Sequence, residues 1–377
     1  MDRYSRHNLI DWFSQEEVSR KSVCVIGAGA VGNEIIKSLV LLGIGNLLII
    51  DFDLIEEHNL TKSVLFRPSD VGLSKAEVAA KRAKELDPNV DINFYHGDAT
   101  QILKLSKLRN FDCVISCVDN FEARIKLNEM SRIAEVDFIN LGIDSKYASV
   151  EVYPYSSGTQ VACYECNLPH SVYGKISERY SCGYLKKISY EEKKIPTTII
   201  TSGIAGSLGA SAALRIGVKD SQSSRRILVD TISGHSSITS NLSKVSDCPS
   251  CSKINHKYEV IGVSRKGGIG AIFDAISTVS SEVVIFLLSE PVVISSLCSI
   301  CGNAPYDGAF NCRAQSELDE TARFCSICVS ASVDINFKDE ISLHDFANLF
   351  SKKPVPISYV TTSVNGRNYC FSFEDKL

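Results

Sequence analysis

Four C-x-x-C pairs stand out in this chain: Cys163/Cys166, Cys248/Cys251, Cys298/Cys301 and Cys325/Cys328, eight of the fourteen cysteines. Each pair offers two thiolates at the spacing of half a tetrahedral zinc site. A different chemistry is written in "CVIGAGAVGNEI", Cys24–Ile35, where Gly27, Gly29 and Gly32 have the spacing of a nucleotide-binding turn. A strand, then G-x-G-x-x-G, then a helix aims backbone N–H groups at phosphate oxygens. Asp51 follows 24 residues after Gly27, placed to accept hydrogen bonds from ribose hydroxyls. Neither feature separates NAD from ATP, because both molecules carry phosphates and a ribose.

More residues of the right types surround the turn. "DFDLIEEHNLTK" carries Asp51, Asp53, Asn59 and Lys62, and "VGLSKAEVAA" carries Lys75. "CVDNFEAR" places Asp119, Asn120 and Arg124 at a strand's carboxyl end, and "RYSRHNLI", with Arg6, precedes the first strand. Taken singly, Lys75 reads as a solvated first-turn lysine, Asp53 as a turn residue and Asp119–Asn120 as a helix cap. As an ordered set over residues 3–253, they resemble the adenylation domain of the ubiquitin-activating enzymes. The set is equally similar to the bacterial adenylyltransferases that activate sulfur-carrier proteins for molybdopterin and thiamine synthesis.

That resemblance implies carboxylate adenylation: a carboxylate attacks the α-phosphate of ATP and pyrophosphate leaves. Both reactants are anionic, so cations must neutralise them. The resemblance gives Lys75 the phosphates, Asp119 a magnesium ion and Asn59 a polar contact to the nucleotide. Lys62 stands where the family usually has arginine, so a bidentate phosphate contact becomes a point charge. Arg6 matches an arginine that crosses a two-fold interface into the neighbouring subunit's ATP site, which implies a homodimer. Cys163, Cys166, Cys248 and Cys251 match a structural zinc site. Cys182, in "RYSCGYLKKISYEEKKIPTT", lies where thioester-forming members keep their nucleophile, ahead of a proline that Pro196 matches. Arg179, Lys186 and Lys187 beside it would favour a thiolate. The implied partner is a ubiquitin-like or sulfur-carrier protein with a free C-terminus. Adenylation of a carrier or a peptide without a thioester step is the alternative. An NAD-dependent oxidoreductase explains Gly27–Gly32 and Asp51, but not Lys75, Asp119 or the metal pairs. An inactive zinc-stabilised scaffold subunit has no use for Lys75 and Asp119 together.

These residues need a scaffold, and 377 residues suffice for two domains. Apolar residues make up 44 % and charged ones 22 %, and the net charge of −4 gives no reason to expect a nucleic acid or an anionic membrane as partner. The start lacks a signal-peptide core and no apolar run reads as a membrane span, so a reducing, cytoplasmic setting is expected, with metal rather than disulfides at the cysteines. Strands are expected at Lys21–Ile26, Asn46–Ile50, Asp91–Tyr95, Phe111–Ser116, Asp137–Gly142 and Ser149–Tyr155. Helices are expected at Ala30–Leu42, Lys75–Leu86 and Phe121–Ala134, the last with Phe121, Ile125 and Ile133 toward one side. A small-residue helix is expected over Pro196–Gly217, then strands at Arg226–Ile232 and Ser236–Leu242. The alternation predicts a doubly wound, Rossmann-like α/β fold with a mostly parallel sheet. Residues 1–255 form the adenylation domain in this reading, with an irregular crossover at about 167–195. Residues 256–377 form an α+β module with a hairpin turning at Asn365-Gly366. A zinc ribbon, about 296–330, is inserted in it and supplies Cys298, Cys301, Cys325 and Cys328 to a second zinc, with Cys312 left as a free thiol. The module, without a catalytic constellation, reads as a docking surface for the carrier or a conjugating protein.

Overall fold

The computed structural model describes residues 3–158, 160–169, 171–173, 196–217, 223–239, 241–266, 269–276, 284–306, 313–318, 322–350 and 354–374. They fall into two units: one of residues 3–103, 107–169 and 196–255, the other of 256–374 with the short stretches 104–106 and 171–173.

The first unit is built on an eight-stranded sheet, ordered β3-β2-β1-β4-β5-β6-β7-β8. Its strands are β1 (Ser22–Ile26), β2 (Asn46–Asp51), β3 (Asp91–His96), β4 (Cys113–Ser116), β5 (Asp137–Ile143), β6 (Tyr147–Tyr153), β7 (Arg225–Asp230) and β8 (Ser236–Thr239). β1 to β5 pair in parallel, and β6, β7 and β8 add antiparallel strands. Strand order reverses about β1, between β2 and β4, which opens a crevice at its carboxyl end. β1 is buried throughout Val23–Ile26, as an apolar run covered by helices on both faces must be.

Among the described residues, the helices of six residues or more in this unit are α1 (Gln15–Arg20), α2 (Ala30–Leu41), α3 (Lys75–Leu86), α4 (Phe121–Ala134) and α5 (Ile199–Leu214). α1, not expected from the sequence, is six residues long and starts at Ser14, whose hydroxyl accepts from the Glu17 N–H at 3.2 Å. α5 buries small residues such as Ala205, Gly206, Gly209 and Ala210, so it packs closely into the core. α4 departs from its expected face. Phe121 is 42 % exposed, while Leu127, Met130, Ile133 and Ala134 are buried together with Asn128, Ser131 and Arg132. Apolar spacing misleads here because three of its seven buried residues are polar.

The second unit holds a five-stranded sheet, β11-β10-β12-β13-β9. It comprises β9 (Glu259–Ser264), α6 (Ile269–Ile276), β10 (Ile285–Cys298), β11 (Val333–Ser342), α7 (Leu343–Phe350), β12 (Tyr359–Val364) and β13 (Arg367–Glu374). Its core carries Phe286, Phe346, Phe350, Phe371 and Phe373, all at most 1 % exposed. Pro291 lies inside β10 where the pairing with β11 shifts register between Leu287 and Val292, a position that spares the missing N–H. Asn365 and Gly366 both take positive φ, 49° and 73°, so the β12–β13 hairpin turns as its Asn-Gly pair predicts. β10 runs to Cys298, which pairs with Val333 at the start of β11, so the ribbon is the tip of this antiparallel pair. Among the described residues, no helix is long and apolar enough to cross a membrane.

Candidate nucleotide site and cysteine clusters

The glycine turn leaves β1 at the switch point. Gly27 has φ +94°, and a Cβ there would lie 2.8 Å from the Cys117 carbonyl oxygen at the end of β4. A Cβ on Gly32 would lie 2.0 Å from the Gly27 oxygen. The turn therefore demands glycine at both places.

A chain of hydrogen bonds runs from this turn to Lys75. The Asp51 carboxylate accepts from the Ala28 N–H at 2.6 Å and from the Asp53 N–H at 2.7 Å. Burial raises the pKa of Asp51, and these two N–H bonds and Lys75 oppose that rise. Asp51 thus braces the turn, and the more exposed Asp53 has the freer carboxylate. Asp53 in turn binds the Lys75 ammonium at 2.7 Å. Lys75 begins α3 behind Ser74, its N-cap, and is only 9 % exposed. A buried ammonium with one carboxylate partner is poised for a polyanion.

Other candidates are placed as follows. Asn59 is buried in a short 3₁₀ turn, accepting from the Glu56 N–H at 2.9 Å and lying 3.0 Å from His58 Nε2. Lys62 donates to Thr197 Oγ1 at 3.0 Å, just ahead of α5. Asn120 caps α4, accepting from the Ala123 N–H at 2.8 Å, and Asp119 is exposed in the loop between β4 and α4. Arg6 is exposed on the N-terminal segment. That segment is tied down by Tyr4 and Arg3, which both reach the Asp87 carboxylate at the end of α3. Cys182 and Cys312 lie outside the described residues. Cys370 is fully buried in β13, and burial raises the thiol pKa of Cys117 to about 12, so neither is a ready nucleophile.

Both cysteine clusters assemble. Within each, the four Sγ atoms lie within 4.8 Å of one another. In the first, Cys163 is 3.8 Å from Cys166 and 3.5 Å from both Cys248 and Cys251, and Cys166 is 3.5 Å from Cys251. Four sulfurs at about 2.3 Å from a tetrahedral zinc would stand roughly 3.8 Å apart, so the donor set fits that ion. In the second, Cys301 and Cys325 are 3.6 Å apart and Cys298 and Cys328 are 3.9 Å apart. The four close thiols hold their protons unequally: a hydrogen bond with Ser332 and N–H groups of its own turn lower the Cys298 pKa to about 6, while the neighbouring sulfurs raise that of Cys328 to about 12.

Sequence reasoning named Arg124 but missed the polar residues that hold it and those that follow it along α4. Arg124 donates to the Val118 carbonyl through Nε at 3.1 Å and Nη2 at 2.5 Å, and through Nη1 to Asn140 Oδ1 at 3.1 Å. Asn140 donates to Glu151 at 2.8 Å, and Arg226 Nε donates to the other Glu151 oxygen at 2.7 Å. The i, i+4 spacing of Arg124 and Asn128 was the available signal.

Comparison with known proteins agrees with this geometry. Ubiquitin-like modifier-activating enzyme 5 of Bombyx mori is 31 % identical over 195 residues, 49 % of this chain and 48 % of that protein. The sulfur carrier protein adenylyltransferase of Thermus thermophilus is 33 % identical over 174 residues, 45 % of this chain and 64 % of that one. The chain spans about half the length of the modifier-activating enzymes it matches. A crystal structure of E. coli MccB with ATP shares the fold, with TM-score 0.53 and 23 % identity over 67 % of this chain and 75 % of that chain. The ThiF family model matches residues 4–302, running from the N-terminal segment through the glycine turn and the first cysteine cluster to the first C-x-x-C of the second, so the chain belongs to the ThiF family.

Proposed function

We propose that this chain adenylates the C-terminal carboxylate of a ubiquitin-like protein at the expense of ATP, and then takes the acyl group as a thioester on Cys182. The observation that carries the reading is the path Ala28–Asp51–Asp53–Lys75, which ties a nearly buried ammonium to the glycine turn. A dinucleotide oxidoreductase needs the turn but not the ammonium. In this reading Gly27, Gly29 and Gly32 let the backbone approach the phosphates, and Asp53 takes the ribose. Lys75 leaves Asp53 for the phosphates, with Lys62 and Asn59 on the adjoining loop. Asp119 holds magnesium, which would neutralise charge on the departing pyrophosphate. A carboxylate oxygen of the carrier attacks the α-phosphorus, and the bond to the bridging oxygen of pyrophosphate breaks. The Cys182 thiolate then attacks the acyl carbon and AMP leaves. Arg6 completes the neighbouring subunit's site in a homodimer, and each cysteine cluster holds one zinc. The second unit serves as the docking surface for the carrier or a conjugating protein.

Carrier-dependent ATP–pyrophosphate exchange tests the reading. Lys75→Ala and Asp119→Ala are expected to lower exchange by about 100-fold or more while melting temperature and zinc content hold. Magnesium-ATP is expected to raise the melting temperature, and NAD to leave it unchanged. Stabilisation by NAD with none by ATP would overturn adenylation. On a non-reducing gel, carrier and ATP are expected to give a thiol-sensitive adduct that Cys182→Ala loses. Fast exchange with no adduct in the wild type would make the chain an adenylyltransferase without a thioester step.

A further inference from the structure

Asn59 is 8 % exposed and ends the short turn Glu57–Asn59, on the loop between Asp53 and Lys75. Backbone bonds hold that turn. Asn59 N–H donates to the Glu56 carbonyl at 2.9 Å, and the Asn59 carbonyl accepts from Lys62 N–H at 3.1 Å. The side-chain amide is held as well, and its partners fix which way round it stands. The Glu56 N–H is a donor, so the amide atom it meets at 2.9 Å is the oxygen. The amide nitrogen is then the atom turned to His58 Nε2, 3.0 Å away.

This orientation decides the state of the imidazole. An amide nitrogen only donates, so Nε2 accepts and carries no proton. The ring proton of neutral His58 is therefore on Nδ1, which faces the Glu56 carboxylate at 3.1 Å. The three residues close a ring: the Glu56 side chain accepts from His58, His58 from Asn59, and Asn59 from the Glu56 backbone. Asn59 commits one amide N–H to His58, and among the described residues the second has no protein partner. A proton on Nε2 breaks the ring, because two donors then face each other. Turning the amide over gives no relief, since its nitrogen would meet the Glu56 N–H instead. Glu56 is the titratable group against the imidazole; the other charges of the turn are the exposed Glu57 and Lys62, whose ammonium is drawn to Thr197.

We propose that His58 is a positioning residue that aims the second amide N–H of Asn59 at the nucleotide, so that a proton on His58 weakens nucleotide binding. The proposal rests on the reading of Asn59 as a contact to the nucleotide. With the amide held in advance, the nucleotide does not pay to order it. With His58 protonated, the amide loses its partner and that ordering falls to the nucleotide.

The test uses the full chain, titrated with magnesium and a fluorescent, non-hydrolysable ATP analogue at about pH 8 and about pH 5.5, on either side of the imidazole range. His58→Gln offers Asn59 an acceptor and Glu56 a donor, and does not titrate; His58→Phe offers neither. At the higher pH His58→Phe is expected to bind about fivefold more weakly than the wild type, the size of one neutral hydrogen bond, and His58→Gln to restore the affinity. At the lower pH the wild type is expected to fall about fivefold below His58→Gln, whose own change reports the protonation of the analogue. Melting temperatures are expected to agree, because the His58 side chain is 46 % exposed. Wild-type affinity in His58→Phe, or a wild type that tracks His58→Gln at both pH values, overturns the proposal alone. Binding that Asn59→Ala leaves unchanged removes Asn59 from the nucleotide site, and this proposal with it. A wild type that binds no analogue at either pH overturns the adenylation reading itself.

Discussion

The two cysteine clusters have the same ligands and opposite surroundings. In the first, the half-sites are separated by residues 167–247, and Cys163, Cys248 and Cys251 are buried with Cys166 half-buried. Its loops are bound to α4 by Asn128 and Arg132, and the sheet beside it has a large apolar core of its own. In the second, 23 residues separate the half-sites and Cys301 is exposed. Among the described residues its buried cluster is Cys298, Cys325 and Val333, with Cys328 and Ile335 against it. Leu297, Ile300, Phe324, Ile327 and Val329 point outward, between 46 % and 72 % exposed. A metal in the first cluster joins parts of a domain that has other means of folding. A metal in the second replaces the core that so short a segment cannot build.

Removing one ligand from each cluster should produce the largest contrast. Cys325→Ser is expected to lose about one of two zincs, because a four-thiolate site binds one ion. With so small a buried cluster among its described residues, the ribbon should then unfold locally and be cut by protease between residues 298 and 333, while ATP–pyrophosphate exchange continues. Cys251→Ser is expected to lose the other zinc, leave the ribbon resistant and depress exchange, because its loop is bound to the helix that follows Asp119. Metal analysis and peptide mapping check both. Equal loss of exchange in the two variants would erase the distinction.

A smaller effect probes the grip of α4 on its cluster. Arg132 is 4 % exposed, lies 5.7 Å from the centre of the Tyr155 ring, and donates to two carbonyls. Arg132→Met keeps most of the packing and leaves those carbonyls unpaired, at a cost of about 1–3 kcal/mol, since Ile254 is buried and Val161 half-buried. The melting temperature of the first unit should fall, and zinc should leave the first cluster faster with no change at the second. Equal acceleration at both clusters would mean that Arg132 supports the whole chain rather than this site.

Such contacts mark where the sequence stops being legible. α3 and α4 begin and end where the sequence placed them, because Ser74, Pro88 and Asn120 are strong local signals. The four C-x-x-C pairs were legible for the same reason: two thiolates at that spacing have few other uses. Asp51 shows a first limit. Its place at the end of β2 was clear, but not its direction, and both oxygens turn to backbone N–H groups. The face of α4 shows a second. From sequence it has only Phe121, Ile125 and Ile133 as a face, whereas Arg124 and Arg132 find partners from Val118 to Ile254 only once the chain has folded. Long-range hydrogen bonds leave no periodicity in the chain.

The smallest effect lies in the repeat within the second cluster. Its two half-sites both read "CSIC" and fold alike. Gly302 N–H donates to the Cys298 carbonyl at 3.0 Å, and Val329 N–H donates to the Cys325 carbonyl at 2.9 Å. Cys298 N–H donates to Asn303, and Cys325 N–H to Ser330, in the same pattern. The residue after each second cysteine must therefore take positive φ, +71° at Gly302 and +53° at Val329. Glycine does so freely, whereas a β-branched side chain in that region is strained by about 1–3 kcal/mol. Val329 is 72 % exposed, so its side chain recovers little of this by burial. Allowing for the greater backbone entropy of glycine in the unfolded chain, Val329→Gly should stabilise the ribbon by about 1 kcal/mol. If the strain is relieved when the ribbon opens, zinc should leave the second cluster about fivefold more slowly at an unchanged rate from the first, the equivalent of that energy. Gly302→Val should do the reverse. Faster or unchanged release from Val329→Gly would show that the valine carries no strain and that the two half-sites, alike in sequence, are also alike in energy.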